Sequence, residues 1–113
     1  MDCLFCNIAK GNIPVKLLYE DELDVAFDDI NPQAPVHFLV IPKKHIAKAL
    51  DLGTEDNALV GHLYQVANKI ARDKGIAVRG HRLVMNCNAE AGQTVWHVHL
   101  HVMGGRLMNW PPG

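Results

Sequence analysis

Apolar and polar residues alternate or recur along this chain in ways that divide it into short elements. Residues 4–11 begin with Leu4, Phe5 and Cys6 and suit a short helix that Gly11 and Pro14 interrupt. Leu17-Leu18-Tyr19 and Val25-Ala26-Phe27 read as short strands joined at the acidic turn Glu20-Asp21-Glu22. A loop stiffened by Pro32 and Pro35 leads into the strand His37-Phe38-Leu39-Val40-Ile41, which Pro42 closes. One long helix is predicted from about Thr54 to Lys74, with Leu59, Leu63, Val66, Ala67 and Ile70 at helical spacing. Thr54 suits its N-cap, Glu55 and Asp56 its positive end, and Gly75 its stop. Two further strands, Arg82–Cys87 and Val95–Met103, flank a connection rich in Asn, Ala and Gly. The order implies an α+β fold: an antiparallel meander carrying one long helix and a short N-terminal one.

The last strand carries the chemistry. In His97-Val98-His99-Leu100-His101-Val102-Met103, histidines alternate with aliphatic residues. Side chains of a strand alternate between its faces, so the imidazoles share one face and Val98, Leu100 and Val102 the other. His97 and His101 would stand roughly 13 Å apart along such a strand, so neighbouring pairs can cooperate but all three do not converge on one ion. Imidazole can exchange protons, attack electrophiles or bind metals near neutral pH. Two readings stay open here: a metal site using two histidines, or nucleophilic and acid/base chemistry.

Composition narrows the setting. The 113 residues, taken as one domain, hold 49% hydrophobic residues and a net charge of −1. That balance gives no case for nucleic acid or a membrane surface. No signal-peptide pattern and no apolar run of the roughly 20 residues needed for a membrane span is visible. Three cysteines, an odd number, argue against a disulfide framework and make a reducing cytoplasm the default. From Leu83 to Gly105 the only fixed charge is Glu90. A phosphate bound there would rely on protonated imidazole, backbone N–H groups and the donors of Asn86 and Gly92-Gln93-Thr94. No P-loop and no G-x-G-x-x-G sequence is present.

The run from Gly92 to Arg106, with its three alternating histidines, resembles the signature of the histidine triad (HIT) superfamily. Asp29-Ile30-Asn31-Pro32-Gln33-Ala34-Pro35, the stretch from His37 to His45, and the ending Trp110-Pro111-Pro112-Gly113 extend the likeness over nearly the whole chain. The Gly-Gly-Arg and Trp-Pro-Pro-Gly runs are similar to the nucleotide-binding branch, the purine nucleoside phosphoramidases. The resemblance implies a HIT-like fold that dimerises into a continuous sheet, and hydrolysis of a purine nucleoside 5′-phosphoramidate to AMP or GMP through a nucleotidyl-histidine.

It also implies roles. His99 would be the nucleophile, His101 would stabilise the phosphoryl oxygens, and His37 would lie behind them as a proton relay. Asn86, Gly92, Gln93, Thr94 and Val95 would complete the phosphate site. Asp29 would accept from the ribose hydroxyls, while Ile8, Phe27 and Ile30 would form a slot for the purine. Trp110 would lie near the partner subunit's site.

Cys3-Leu4-Phe5-Cys6 is half a metal site or a thiol pair by spacing alone. In the light of the resemblance, His45 and His97 would complete a structural, non-catalytic zinc site with Cys3 and Cys6. No organic cofactor is expected. Two alternatives remain in view: a nucleotide-binding regulatory module with incidental hydrolysis, and a metal-dependent hydrolase using His97 and His99 as ligands.

Overall fold

The computed structural model describes residues 3–113. Helix α1 spans Leu4–Ala9, and strands β1 (Leu17–Glu20), β2 (Asp24–Asp28) and β3 (Val36–Pro42) follow. The long helix α2 covers Asn57–Asp73, and β4 (His81–Val84) and β5 (Leu100–Gly104) complete the chain. All strand pairs are antiparallel, in the order β1-β2-β3-β5-β4, which leaves β1 and β4 as edges. The expected α+β fold, an antiparallel sheet with one long helix, is observed, but only β1-β2-β3 form a meander: the chain crosses through α2 and β5 inserts between β3 and β4. No helix among the described residues is long and apolar enough to cross a membrane.

Strand alternation builds a core on each face of the sheet. On one side Ala26, Phe38, Val40, Leu100 and Val102 pack against Leu63, Val66, Ala67, Ile70 and Ala71 of α2. On the other, Val25, Phe27, Leu39 and Ile41 meet Cys3, Phe5, Cys6 and Ile8 of the N-terminal segment. The sheet is thus buried on both faces, and what α1 covers is the side that carries the histidines.

Three boundaries differ from the sequence reading. The long helix is entered through a 3₁₀ turn over Thr54–Asp56, so Thr54 is not its cap. The Asp56 carboxylate instead reaches back to the Gly53 amide (3.0 Å) and takes the Lys44 ammonium (2.7 Å). Strand β4 stops at Val84 instead of Cys87, and Cys87 is only partly buried. Strand β5 begins at Leu100 instead of Val95, so only His101 of the three histidines lies within it. Two features explain that shorter strand. Pro42 ends β3 with no N–H to extend the ladder. The Val98 amide donates to the Ile46 carbonyl at 2.7 Å, away from the sheet.

Candidate active site

All three triad imidazoles nevertheless face the α1 side. His101 pairs across the ladder with Leu39, and Phe5 of α1 sits edge-on to both His97 and His99, with ring centroids 6.0 and 5.1 Å away. The His99 and His101 rings are 5.0 Å apart. His97 turns toward different company, its ring 5.1 Å from that of His45.

Backbone atoms fix the tautomers of His99 and His37, and His37 in turn fixes that of His101. Nδ1 of His99 lies 2.7 Å from the carbonyl oxygen of His97 and must donate to it, which leaves Nε2 with a free lone pair. The Gln33 amide donates to Nδ1 of His37 at 3.0 Å, so the proton of neutral His37 is on Nε2. That nitrogen is 3.0 Å from Nδ1 of His101, which accepts, and the His101 proton is therefore on Nε2. A relay of fixed direction runs from the Gln33 backbone through His37 to an outward N–H on His101.

Electrostatics keeps this relay neutral. Burial, with a smaller opposing pull from Asp29, holds His37 below the usual imidazole range. Burial, aided by the neighbouring His99 and His37 rings, brings His101 down to about 4. The expectation of a protonated imidazole facing phosphate is corrected for His101: it offers a directed N–H instead of a full charge. Asp29 stands behind the pair, its Oδ2 3.4 Å from His37 Nε2 and 3.8 Å from His101 Nδ1, while its Oδ1 accepts from the Asn31 amide at 2.8 Å.

The loop before the triad is built differently from the sequence reading. The Gln93 side chain is buried and committed to backbone: its oxygen takes the Asn88 amide (2.9 Å), and its nitrogen donates to Ala47 and Val95 carbonyls (2.8 and 3.1 Å). It is a staple for the loop, not a free phosphate donor. Gly92 adopts φ +82°, which turns the chain toward Thr94, an exposed residue. Val95 and Asn86 are partly buried. Ile8 and Phe27 share the core under α1, and Ile30, next to Asp29, is fully exposed. Trp110 is 83% exposed, which removes packing on its own subunit as its explanation.

Two contributors carried no sequence signal. Phe5 entered the sequence reading only as part of the first helix, yet its ring stands T-shaped to those of His97 and His99. Arg106 read as part of a family run. Gly105, at φ +92°, turns the chain so that the Arg106 guanidinium donates twice to the Gln33 carbonyl, at 3.1 and 3.0 Å. The residue whose amide orients His37 is thereby clamped from its other side.

Cys3, Cys6, His45 and His97 do come together, with one ligand atom of each within 4.8 Å of the rest. His97 Nδ1 lies 3.3 Å from Cys3 Sγ, 3.5 Å from Cys6 Sγ and 3.2 Å from His45 Nδ1, and His45 Nδ1 lies 3.3 Å from Cys6 Sγ. A tetrahedral zinc ion with the usual bond lengths requires such separations to be roughly 3.3–3.6 Å. Nε2 of His97 donates to the Pro42 carbonyl at 2.7 Å, which turns the lone pair of Nδ1 toward the cluster. Burial also lowers the proton affinity of His97 and keeps it in the form a metal needs. The donor set and spacing fit a closed structural zinc site.

Comparison with known proteins agrees with this geometry. The family profile described as "Scavenger mRNA decapping enzyme C-term binding" matches residues 2–109. The chain is 51% identical over 112 residues to an uncharacterised HIT-like protein of Synechocystis sp., covering 99% of this chain and 97% of the relative. Among solved structures, a HIT family hydrolase from Legionella pneumophila Philadelphia 1 superposes with TM-score 0.97 at 50% identity, over 99% of this chain and all of the other. A zinc-bound histidine triad family protein from Mycobacterium smegmatis superposes with TM-score 0.79 at 36% identity, over 94% of this chain and 76% of the other.

Proposed function

This chain belongs to the HIT superfamily, and on that footing we propose that it is a HIT hydrolase acting on purine nucleoside 5′-phosphoramidates. The observation that carries the reading is the His99 ring, whose Nδ1 proton is held by the His97 carbonyl at 2.7 Å so that Nε2 is the nucleophilic nitrogen. In the first step this lone pair attacks the α-phosphorus and the P–N bond to the amine breaks. The amine leaves with a proton taken from water, and a nucleotidyl-His99 remains. In the second step water attacks the phosphorus and gives up its proton to the hydroxide left by the first step, the bond to Nε2 breaks, and AMP or GMP is released. His101 Nε2–H is directed outward and would meet the phosphoryl oxygen on which charge grows. His37 and Gln33 keep that proton pointing forward.

In this reading the loop stapled by Gln93 would present the amides near Thr94 and Val95 to phosphate. Asp29 would accept from the ribose hydroxyls, and the purine would lie against Ile30 and the edge of the α1 core. A second copy, supplying Trp110, would complete the slot, and the open edges of the sheet support such a homodimer. Cys3, Cys6, His45 and His97 would hold zinc as a structural ion, with no part in the bond-breaking steps.

The test supplies purified protein with adenosine 5′-phosphoramidate and follows AMP release, with and without chelator, in wild type and His99→Asn. Release by wild type that His99→Asn abolishes is the expected result. No release by wild type overturns the reading, and release abolished by chelator while the fold persists assigns the chemistry to a metal instead.

A further inference from the structure

A second cluster lies on the opposite face of the sheet, under α2. Asp24 opens β2 and shares the side of Ala26, so its side chain enters the core beneath the helix. It is completely buried, and neither carboxylate oxygen has a hydrogen-bond partner. An unpaired carboxylate in a dry core is among the least favourable arrangements a small protein can hold.

Its neighbours are two other ligand-type groups. His62, from α2, places Nε2 3.6 Å from Asp24 Oδ2 and 2.6 Å from Asp21 Oδ2. Asp21 is held from behind, Oδ1 accepting from the Leu23 and Asp24 amides (2.8 Å each) and Oδ2 from the Tyr19 hydroxyl (2.7 Å). One donor atom from each of the three residues lies within 4.8 Å of the others. The Asp21 and His62 side chains are 26% and 29% exposed, while Asp24 behind them is not exposed at all.

We propose that Asp21, Asp24 and His62 form a second metal site, taking one divalent ion of the zinc class with water in the remaining position. Two carboxylates and an imidazole form a donor set suited to such an ion, and three protein ligands plus water is its usual open coordination. Tyr19 and two backbone amides orient the Asp21 carboxylate as outer groups orient metal ligands. Binding of an ion there would displace to solvent any proton these ligands carry. The ion would replace the proton shared between His62 and Asp21 and widen that pair to roughly 3.4 Å. Bound there, it would clamp the β1–β2 turn to α2, on the far side of the sheet from the triad.

The 113-residue chain stripped of metal and titrated with cobalt(II) tests this directly, because the two sites differ in colour. The expected result is two equivalents per chain, one with a thiolate-to-cobalt charge-transfer band and one with only weak d–d bands. Asp24→Asn, which keeps the side-chain size and removes the buried charge, loses the second equivalent and keeps the thiolate band. His62→Gln does the same. Zinc(II) should raise the melting temperature of the Cys3→Ser, Cys6→Ser protein, and the added Asp24→Asn change should abolish that rise. Wild type that saturates at one equivalent carrying the full thiolate band overturns the proposal. So does a second equivalent that survives both Asp24→Asn and His62→Gln.

Discussion

The Nδ1 atom of His99 lies 2.7 Å from the main-chain oxygen of His97. Adjacent members of the triad are thus coupled through the backbone of one and the ring of the other, which leaves the lone pair of His99 on Nε2, the atom proposed to attack. Rapid quenching under neutral-to-basic conditions during turnover should recover protein carrying one covalent nucleotidyl group, seen by mass spectrometry. Its site should map to His99. His99→Gln should carry none and lose roughly 10³-fold or more in rate.

Arg106 touches no triad ring, yet it grips the residue that orients His37. Arg106→Ala should lower kcat about 10-fold through a misdirected His101 proton while KM changes little. Arg106→Lys should restore part of the loss. If Arg106 only stabilised the fold, melting temperature would fall and kcat per folded molecule would not.

Burial places the folded-state pKa of His101 near 4, against 6.5 for the free side chain. The unfolded chain therefore binds this proton more readily than the folded one. Its contribution to stability is complete above pH 6.5, declines as pH falls through the window from 6.5 to 4, and is gone below it. Denaturant midpoints measured across that window should fall with acidification, and His101→Gln should flatten the slope.

The proposed zinc site would join α1 to His97. A helix of six residues has little stability alone, so its docking should depend on the core and, in that reading, on the ion. Chelation of protein in which zinc stands at about 100 times its Kd should remove about 2.7 kcal/mol of stability. Unfolding curves with and without chelator measure it. AMP release should persist below the lowered midpoint.

Trp110 is exposed and β1 and β4 are open edges. Light scattering should report a dimer. Trp110→Ala should leave that mass unchanged while altering kcat/KM among phosphoramidates with different amines. A monomer under the same conditions would contradict the proposed placement of Trp110.

Much of this arrangement was legible in the sequence because it rests on side-chain periodicity. The alternation through Phe38, Leu39 and Val40, the spacing of Leu63, Val66 and Ile70, and the paired cysteines all announce themselves as residue types. The early exit of His97 and His99 from β5 did not, since it depends on the Ile46 carbonyl capturing an amide. Gln93 misled for a related reason: an amide side chain in a loop serves a ligand or the loop, and only geometry tells which. Asp24 drew no reading at all, because burial is not written in residue identity. Arg106 was hidden by the same limit, its partner being a main-chain oxygen.

The two contacts of Gln33 have a consequence for how this protein can change. Its N–H orients His37 and its carbonyl receives Arg106, while its side chain reaches only the Asn31 carbonyl at an exposed position. The role of position 33 therefore rests on its peptide group, and its side chain should be replaceable by most residue types. Proline alone, lacking the N–H, would silence the relay. A variant library at this position should tolerate nearly everything and reject that one substitution.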